Sequence, residues 1–243
     1  MNTQTPVAEE TLDSLFKVGA HYGVAKARRH PTAQQYLFGQ KDKIDLFDLA
    51  KTQEALEVAQ DFVRSLAAER KQVVFVGGKA ESHKVVRTEA ERVGAAYSVG
   101  RWIGGTITNF SEIKKRVARM VDLMNKRDTG DLTKYTKFER LQIDREIEKL
   151  QSMYAGLVPL KEKLPAALFV IDPRREAIAV REARLNNIPV IAVANSDCNF
   201  DDVDYVIPAN DAALRSIAYF VRAIADAYAE GATTKPSAAA VQQ

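Results

Sequence analysis

Apolar runs and amphipathic stretches alternate along most of the chain. Two runs, at residues 72–76 and 167–171, are typical of strands that are buried on both faces of a parallel sheet. Shorter runs predict strands at 44–49, 97–99, 189–194 and 204–208. Apolar residues at helical spacing predict helices at 11–18, 52–67, 82–93, 177–185 and 212–229. This alternation predicts an α/β domain, a Rossmann-like parallel sheet flanked by helices.

Two charged helical stretches, at residues 110–127 and 137–154, interrupt this alternation. Each carries a narrow apolar seam: Ile113, Val117, Met120 and Met124 in the first, and Ile143, Ile147, Leu150 and Tyr154 in the second. Such seams are typical of coiled coils, and the glycine-bearing segment 128–133 predicts a turn between them. We therefore predict an antiparallel coiled-coil hairpin at 106–155, inserted into an α/β domain of residues 1–105 and 156–230. Small and polar residues predict a disordered tail at 231–243.

The junction before the hairpin is the run RWIGGTITNF at residues 101–110, which contains the chain's single tryptophan. Its adjacent glycines permit a sharp turn, and Thr108 or Ser111 is the predicted N-cap of the next helix. Two interpretations of Trp102 are open. It is either a buried structural joint, or it forms with Arg101 a surface that contacts RNA through charge and stacking.

Positive charge is concentrated more than the net charge of +3 and the pI of about 8.8 suggest. Residues 17–43 contain six lysines and arginines and one aspartate, a surplus larger than that of the whole chain. A basic, glycine-bearing loop with interleaved His and Tyr suits a nucleic-acid backbone. A second cluster lies in the first charged helix. We predict RNA contacts from Lys26, Arg28, Arg29, His30, Lys79, Arg101, Trp102, Lys114, Lys115, Arg116 and Arg119.

Catalytic and cofactor motifs are missing from this sequence. Gly77-Gly78-Lys79 follows a buried strand but lacks the spacing and the hydroxyl of a P-loop, so Lys79 is assigned to an RNA phosphate instead. Cys198 stands among aspartates, which raise a thiol pKa and disfavour a nucleophile. We predict no enzyme activity and no cofactor. The acids Asp197, Asp201, Asp202 and Asp204 are either a solvated loop or, with His21, ligands of a divalent cation.

The N-terminal residues are polar, and no run reaches the length of a membrane span, so we expect a cytoplasmic protein. Two functional alternatives to RNA binding are open. One is an α/β enzyme that binds a nucleotide or a sugar phosphate at Gly77-Gly78-Lys79. The other is an adaptor that uses the hairpin to dock proteins only.

Several motifs, in order, closely resemble those of the bacterial small-subunit ribosomal protein two family. They are GAHYG at 19–23, YLFG at 36–39, FVGGK at 75–79, RWIGGTITNF at 101–110, LFVIDP at 168–173, PAND at 208–211 and RSI at 215–217. The chain departs from the family pattern at Val24, where a histidine is usual, and at Arg29-His30, where Trp-Asn is usual.

The resemblance implies the same Rossmann-like domain with a protruding coiled-coil hairpin. It implies a structural role on the small ribosomal subunit, in the cytoplasm, as a protein that does not form homo-oligomers. The implied partners are ribosomal RNA and neighbouring ribosomal proteins, including an S1-type RNA-binding protein.

Overall fold

The computed structural model describes residues 6–161 and 163–233. The helices are α1 (Pro6–Lys17), α2 (Leu49–Ala68), α3 (Ala80–Val93), α4 (Phe110–Asp128), α5 (Lys137–Tyr154), α6 (Ala177–Leu185) and α7 (Leu214–Thr233). The strands are β1 (Tyr22–Ala25), β2 (Leu37–Lys41), β3 (Ile44–Phe47), β4 (Val73–Gly77), β5 (Ala96–Val99), β6 (Ala167–Ile171), β7 (Val190–Ala194) and β8 (Tyr205–Pro208). In these described residues, no helix is long and apolar enough to cross a membrane.

The main sheet has five parallel strands in the order β5-β4-β6-β7-β8, which confirms the predicted sheet. The chain reverses its direction of travel across the sheet between β4 and β6. In open α/β sheets of this kind, ligands bind at the carboxyl ends of the two strands beside the reversal. We call that position the switch-point crevice; residues 77–79 and 171–173 form its two sides.

Side chains that alternate along each strand enter two separate cores. Phe75 and Phe169 belong to the core beneath α2, α3 and α7, with their ring centroids 5.4 Å apart. Val74 and Leu168 belong to the core on the other face, which α4, α5 and α6 cover. Burial on both faces explains why these strands are apolar runs without a polar side.

Helices α4 and α5 pack against each other beside the second core. Three side chains of each are buried: Ile113, Met120 and Leu123 in α4, and Ile147, Leu150 and Tyr154 in α5. Thr136 and Glu139 form a reciprocal capping box at the start of α5. The predicted cap of α4 was wrong. Its N-cap residue is Asn109, whose own side chain makes no capping hydrogen bond in the described structure.

The chain before α2 forms a small antiparallel sheet in the order β1-β3-β2, which was predicted only in part. β3 was predicted, but β1 and β2 lie in the segment that was interpreted as a loop. Strand β2 reads Leu-Phe-Gly-Gln-Lys and is nowhere fully buried, so its pattern carries no core signal. The layer is tethered to the main sheet, since Ser196 accepts from Val24 N at 3.0 Å through Oγ and from His30 N at 2.8 Å through its carbonyl.

The C-terminal prediction was wrong at its boundary. Helix α7 continues to Thr233, so residues 231–233 are helical and do not belong to a disordered tail. Gly231 packs so tightly on α2 that a Cβ there would lie 2.4 Å from the Arg64 carbonyl oxygen. The remainder of the predicted tail, residues 234–243, lies outside the described residues.

Candidate nucleic-acid interface

The switch-point crevice is filled by an internal ion-pair cluster. The Lys79 Nζ lies 2.8 Å from Asp172 Oδ2 and 2.9 Å from Asp211 Oδ2, and all three side chains are at least 85% buried. Burial lowers the pKa of Lys79, but the two carboxylates outweigh it and raise the pKa above its ordinary value. Because its ammonium is neutralised inside the fold, Lys79 is not placed to contact an RNA phosphate, which corrects the expectation from sequence.

A third carboxyl group closes the same crevice. A Cβ on Gly78 would lie 1.8 Å from Glu176 Oε1 and 3.0 Å from the Gly100 carbonyl oxygen. Glu176 is 5% exposed, and burial raises its pKa to about 7. A phosphate entering here would meet carboxyl groups where a nucleotide site presents backbone N–H groups. This geometry argues against the nucleotide-binding alternative.

The cysteine beside the crevice is unsuited to nucleophilic chemistry. Cys198 is fully buried, and burial raises the pKa of its thiol far above the ordinary range, as do the nearby charges of Asp172 and Asp211. Ligand atoms of Asp172, Cys198 and Asp211 lie within 4.8 Å of one another, but Lys79 already bonds both carboxylates. The cluster therefore holds a lysine ammonium as its cation.

The acidic loop is engaged with neighbouring protein groups. Asp197 Oδ2 lies 2.5 Å from Arg174 Nη1, Asp202 pairs with Arg184, and Asp204 Oδ2 accepts from Val190 N at 2.8 Å. His21 stacks on Phe16 with ring centroids 4.6 Å apart. In the described part of the chain, the one group of side chains spaced for a metal ion includes neither His21 nor these acids, so the structure does not assemble that hypothetical site.

The basic loop at residues 26–30 divides into free and engaged side chains. Lys26 and Arg28 are exposed, and no carboxylate among the described residues pairs with them. Arg29 Nε lies 3.1 Å from the fully buried carboxylate of Asp45, so Arg29 serves the small sheet instead of facing a ligand. His30 Nδ1 lies 2.8 Å from Thr32 Oγ1. Arg29 is therefore the one predicted RNA contact of this loop that the structure reassigns.

Trp102 is a joint between the sheet and α4. It is 4% exposed and packs in the second core with Ile107, and its Nε1 has no hydrogen-bond partner among the described residues. The buried ring offers no face to a base, which corrects the stacking interpretation in favour of the structural one. Arg101, the preceding residue, is exposed and stays available at the surface.

A buried glutamate that the sequence interpretation missed fixes the junction. Glu182 of α6 is 7% exposed; Oε1 accepts from Gly105 N at 2.7 Å, and Oε2 accepts from Ile107 N at 2.9 Å and Thr108 N at 3.3 Å. Three N–H donors satisfy a carboxylate that would otherwise be costly to bury. The signal for it was an acid within the apolar periodicity of α6.

The four cations on α4 are at least partly exposed, and we call them the α4 basic cluster. They are Lys114, Lys115, Arg116 and Arg119. Lys115 pairs with Glu112 at 2.6 Å and Arg119 with Glu146 at 3.3 Å, both between exposed side chains. Such exposed pairs contribute about 0–1 kcal/mol, so a phosphate can replace the carboxylate at little cost. The cluster lies on a different element from the basic loop, so the predicted contacts form two separate surfaces.

Comparison with known proteins identifies the family to which this chain belongs. The family described as ribosomal protein S2 matches residues 15–231. A relative named small ribosomal subunit protein uS2, from Roseiflexus sp. (strain RS-1), is 40% identical over 227 residues, which cover 93% of this chain and 86% of the relative. Its namesake from Chloroflexus aggregans (strain MD-66 / DSM 9485) is 39% identical over 93% of this chain and 95% of its own length. The chain belongs to the ribosomal protein S2 family.

Proposed function

We propose that this protein binds ribosomal RNA of the small subunit through the basic loop and the α4 basic cluster, as a structural component of the cytoplasmic ribosome. The observation that carries the proposal is the contrast in charge placement. Lys26, Arg28, Arg101 and Arg116 reach solvent without a carboxylate partner in the described structure, whereas the crevice that would hold a small ligand is filled. Family membership supports the ribosomal role, since the curated relatives are named as small-subunit proteins.

The ribosomal protein S2 family is structural and not enzymatic. The filled switch-point crevice gives a physical reason in this chain. Lys79, Asp172 and Glu176 occupy the space that a cofactor or substrate needs in related sheet topologies.

We further propose that α4 and α5 form an antiparallel coiled-coil arm at residues 106–155, attached to a body of residues 1–105 and 156–230. The buried seams of the two helices and the Arg119–Glu146 pair between them support this division. The arm would bind neighbouring ribosomal proteins, with an S1-type protein as a further partner of the assembled subunit, and the chain would act as a single copy. The adaptor alternative differs by requiring no RNA contact.

Sedimentation of the tagged chain from native lysate tests the RNA-binding proposal. Lys26→Ala with Arg28→Ala should reduce its fraction on small subunits, and the difference from the wild type should shrink as salt is raised, because salt weakens the phosphate contacts that the variant lacks. The matched control is Lys84→Ala with Arg215→Ala, which removes one exposed lysine and one exposed arginine from α3 and α7. Equal sedimentation of both variants would contradict the role of the basic loop.

A further inference from the structure

Helix α6 and the turn before it present an arginine face that the sequence interpretation did not identify. Four arginines point to solvent: Arg174, Arg175, Arg181 and Arg184. The two acids of the same segment, Glu176 and Glu182, are 5% and 7% exposed and point into the fold. Within the described segment 173–185, the exposed charged side chains are therefore all positive.

Three of these arginines line a groove of about 560 Å3 between α6 and the loop at residues 197–202. Two ion pairs cross this α6 groove, Arg174 to Asp197 and Arg184 to Asp202. The arginine side chains are 61% and 53% exposed, so both pairs are accessible to solvent and contribute little stability. The pairs hold the two guanidinium groups in place without burying them.

Arg181 lies between these two pairs in sequence and lines the same groove. No carboxylate in the described structure pairs with it, and its side chain is exposed. Ala177 and Val180 give the groove an apolar part, and Leu185 beside them is 70% exposed. The free guanidinium of Arg181 therefore lies in a groove that also contains the guanidinium groups of Arg174 and Arg184. Such a row suits successive phosphates, because each planar guanidinium can donate two parallel hydrogen bonds to phosphate oxygens.

We propose that the α6 groove binds backbone phosphates of ribosomal RNA, with Arg181 as the central contact. His30 lines the same groove, so the proposed path continues directly from the basic loop. This continuity favours RNA over an acidic protein segment, since a single RNA strand that passes over the basic loop reaches the α6 groove. The inference rests on the proposed RNA-binding function and adds a contact surface to it.

The test measures the dissociation constant of the full chain for a small-subunit ribosomal RNA transcript at several salt concentrations. Arg181→Ala should weaken binding about threefold to tenfold and reduce the slope of log affinity against log salt by about one. Arg181→Lys keeps the charge and loses the fork, so its affinity should lie between those of the Ala variant and the wild type. Arg181 has no carboxylate partner in the described part of the chain, so its removal leaves no acid unpaired there, in contrast to Arg174 and Arg184.

Arg215→Ala is the matched control, because it removes the same charge from exposed α7 on the opposite side of the sheet. An affinity and salt slope of Arg181→Ala equal to those of this control would overturn the α6 groove while leaving the RNA-binding function intact. A wild-type chain that does not bind the transcript would instead overturn the proposed function, and the groove with it. Equal melting temperatures for the variants would show that the comparison reports binding.

Discussion

Lys79 and Lys114 are the same side chain in two opposite settings. Lys79 lies in the switch-point crevice between two buried carboxylates, and Lys114 lies on the α4 surface with its Nζ 5.9 Å from the Phe110 ring centroid. The charge of Lys79 is neutralised by these carboxylates, because an unpaired charge at this buried position would be severely destabilising. Lys114 is one of the cations that we propose to contact RNA. A lysine after a glycine pair in a strand–turn–helix unit is thus no guide to binding until its neighbours are known.

The largest expected effect on stability comes from replacing the buried lysine, Lys79. Lys79→Met leaves Asp172 and Asp211 buried as unpaired like charges and should lower the free energy of unfolding by about 3–5 kcal/mol. Lys114→Met, the same substitution on the surface, should change it by less than about 0.5 kcal/mol. Urea unfolding of both variants measures the difference. Equal losses of unfolding free energy would show that the Lys79 cluster, which is Lys79 with Asp172 and Asp211, does not stabilise the fold.

The next effect concerns the glutamate that holds the junction. Glu182→Gln can accept with one oxygen only and should lower the free energy of unfolding by about 1–3 kcal/mol. Amide hydrogen exchange at Gly105, Ile107 and Thr108 should accelerate, because these N–H groups lose their acceptor. Glu148→Gln, on the exposed side of α5, is the control and should leave all three protected. Unaltered hydrogen exchange in Glu182→Gln would contradict the role of the Glu182 carboxylate in holding these three N–H groups.

A pH effect of up to about 3 kcal/mol should follow from Glu176. Its pKa is about 7 in the folded chain and about 4.5 in its ordinary range, so the unfolded chain releases this proton at lower pH. Stability should therefore fall as pH rises from about 4.5 to 7, and this loss should be absent in Glu176→Gln. Unfolding free energies of both proteins across that range measure the effect. Parallel pH curves would mean that Glu176 ionises as freely in the fold as outside it.

The smallest stability effect is expected at the α4 basic cluster. Arg116 is exposed and has no carboxylate partner among the described residues, so Arg116→Ala should change the unfolding free energy by less than about 0.5 kcal/mol. Its affinity for small-subunit ribosomal RNA should nevertheless fall, since the substitution removes one of the proposed phosphate contacts. Chemical denaturation and RNA titration of the same preparation separate the two quantities. A loss of stability without a loss of affinity would show that Arg116, like Lys79, has a structural role and does not contact RNA.

The sequence predicted the main sheet and the long helices because their signals are local. Strand β6 is a continuous apolar run, and the predicted bounds of α5 and α6 match the structure. Strands β1 and β2 of the small sheet escaped prediction because β2 is partly solvated and β1 contains Gly23. Its strands are defined by pairing partners rather than by their own pattern.

The roles of individual cations could not be predicted in the same way. Whether Lys79 is free or paired depends on Asp172 and Asp211, which approach it only because β4 and β6 are adjacent and because the chain after β8 returns to the same edge. Likewise, Trp102 is buried because it packs in the core beneath α4, α5 and α6, a contact between segments distant in sequence. Charge density along the chain indicated the basic loop, but only the fold distinguishes Arg28 from Arg29.

The Lys79 cluster also bears on how this protein exists before it joins a ribosome. A protein whose crevice needs a nucleotide is more stable when that nucleotide is abundant, because binding shifts the folding equilibrium. Here the counter-ions of Lys79 are carboxylates of the chain itself, so the pairing in this crevice does not depend on a nucleotide concentration. We therefore expect the melting temperature of the free protein to be the same with and without added nucleotide.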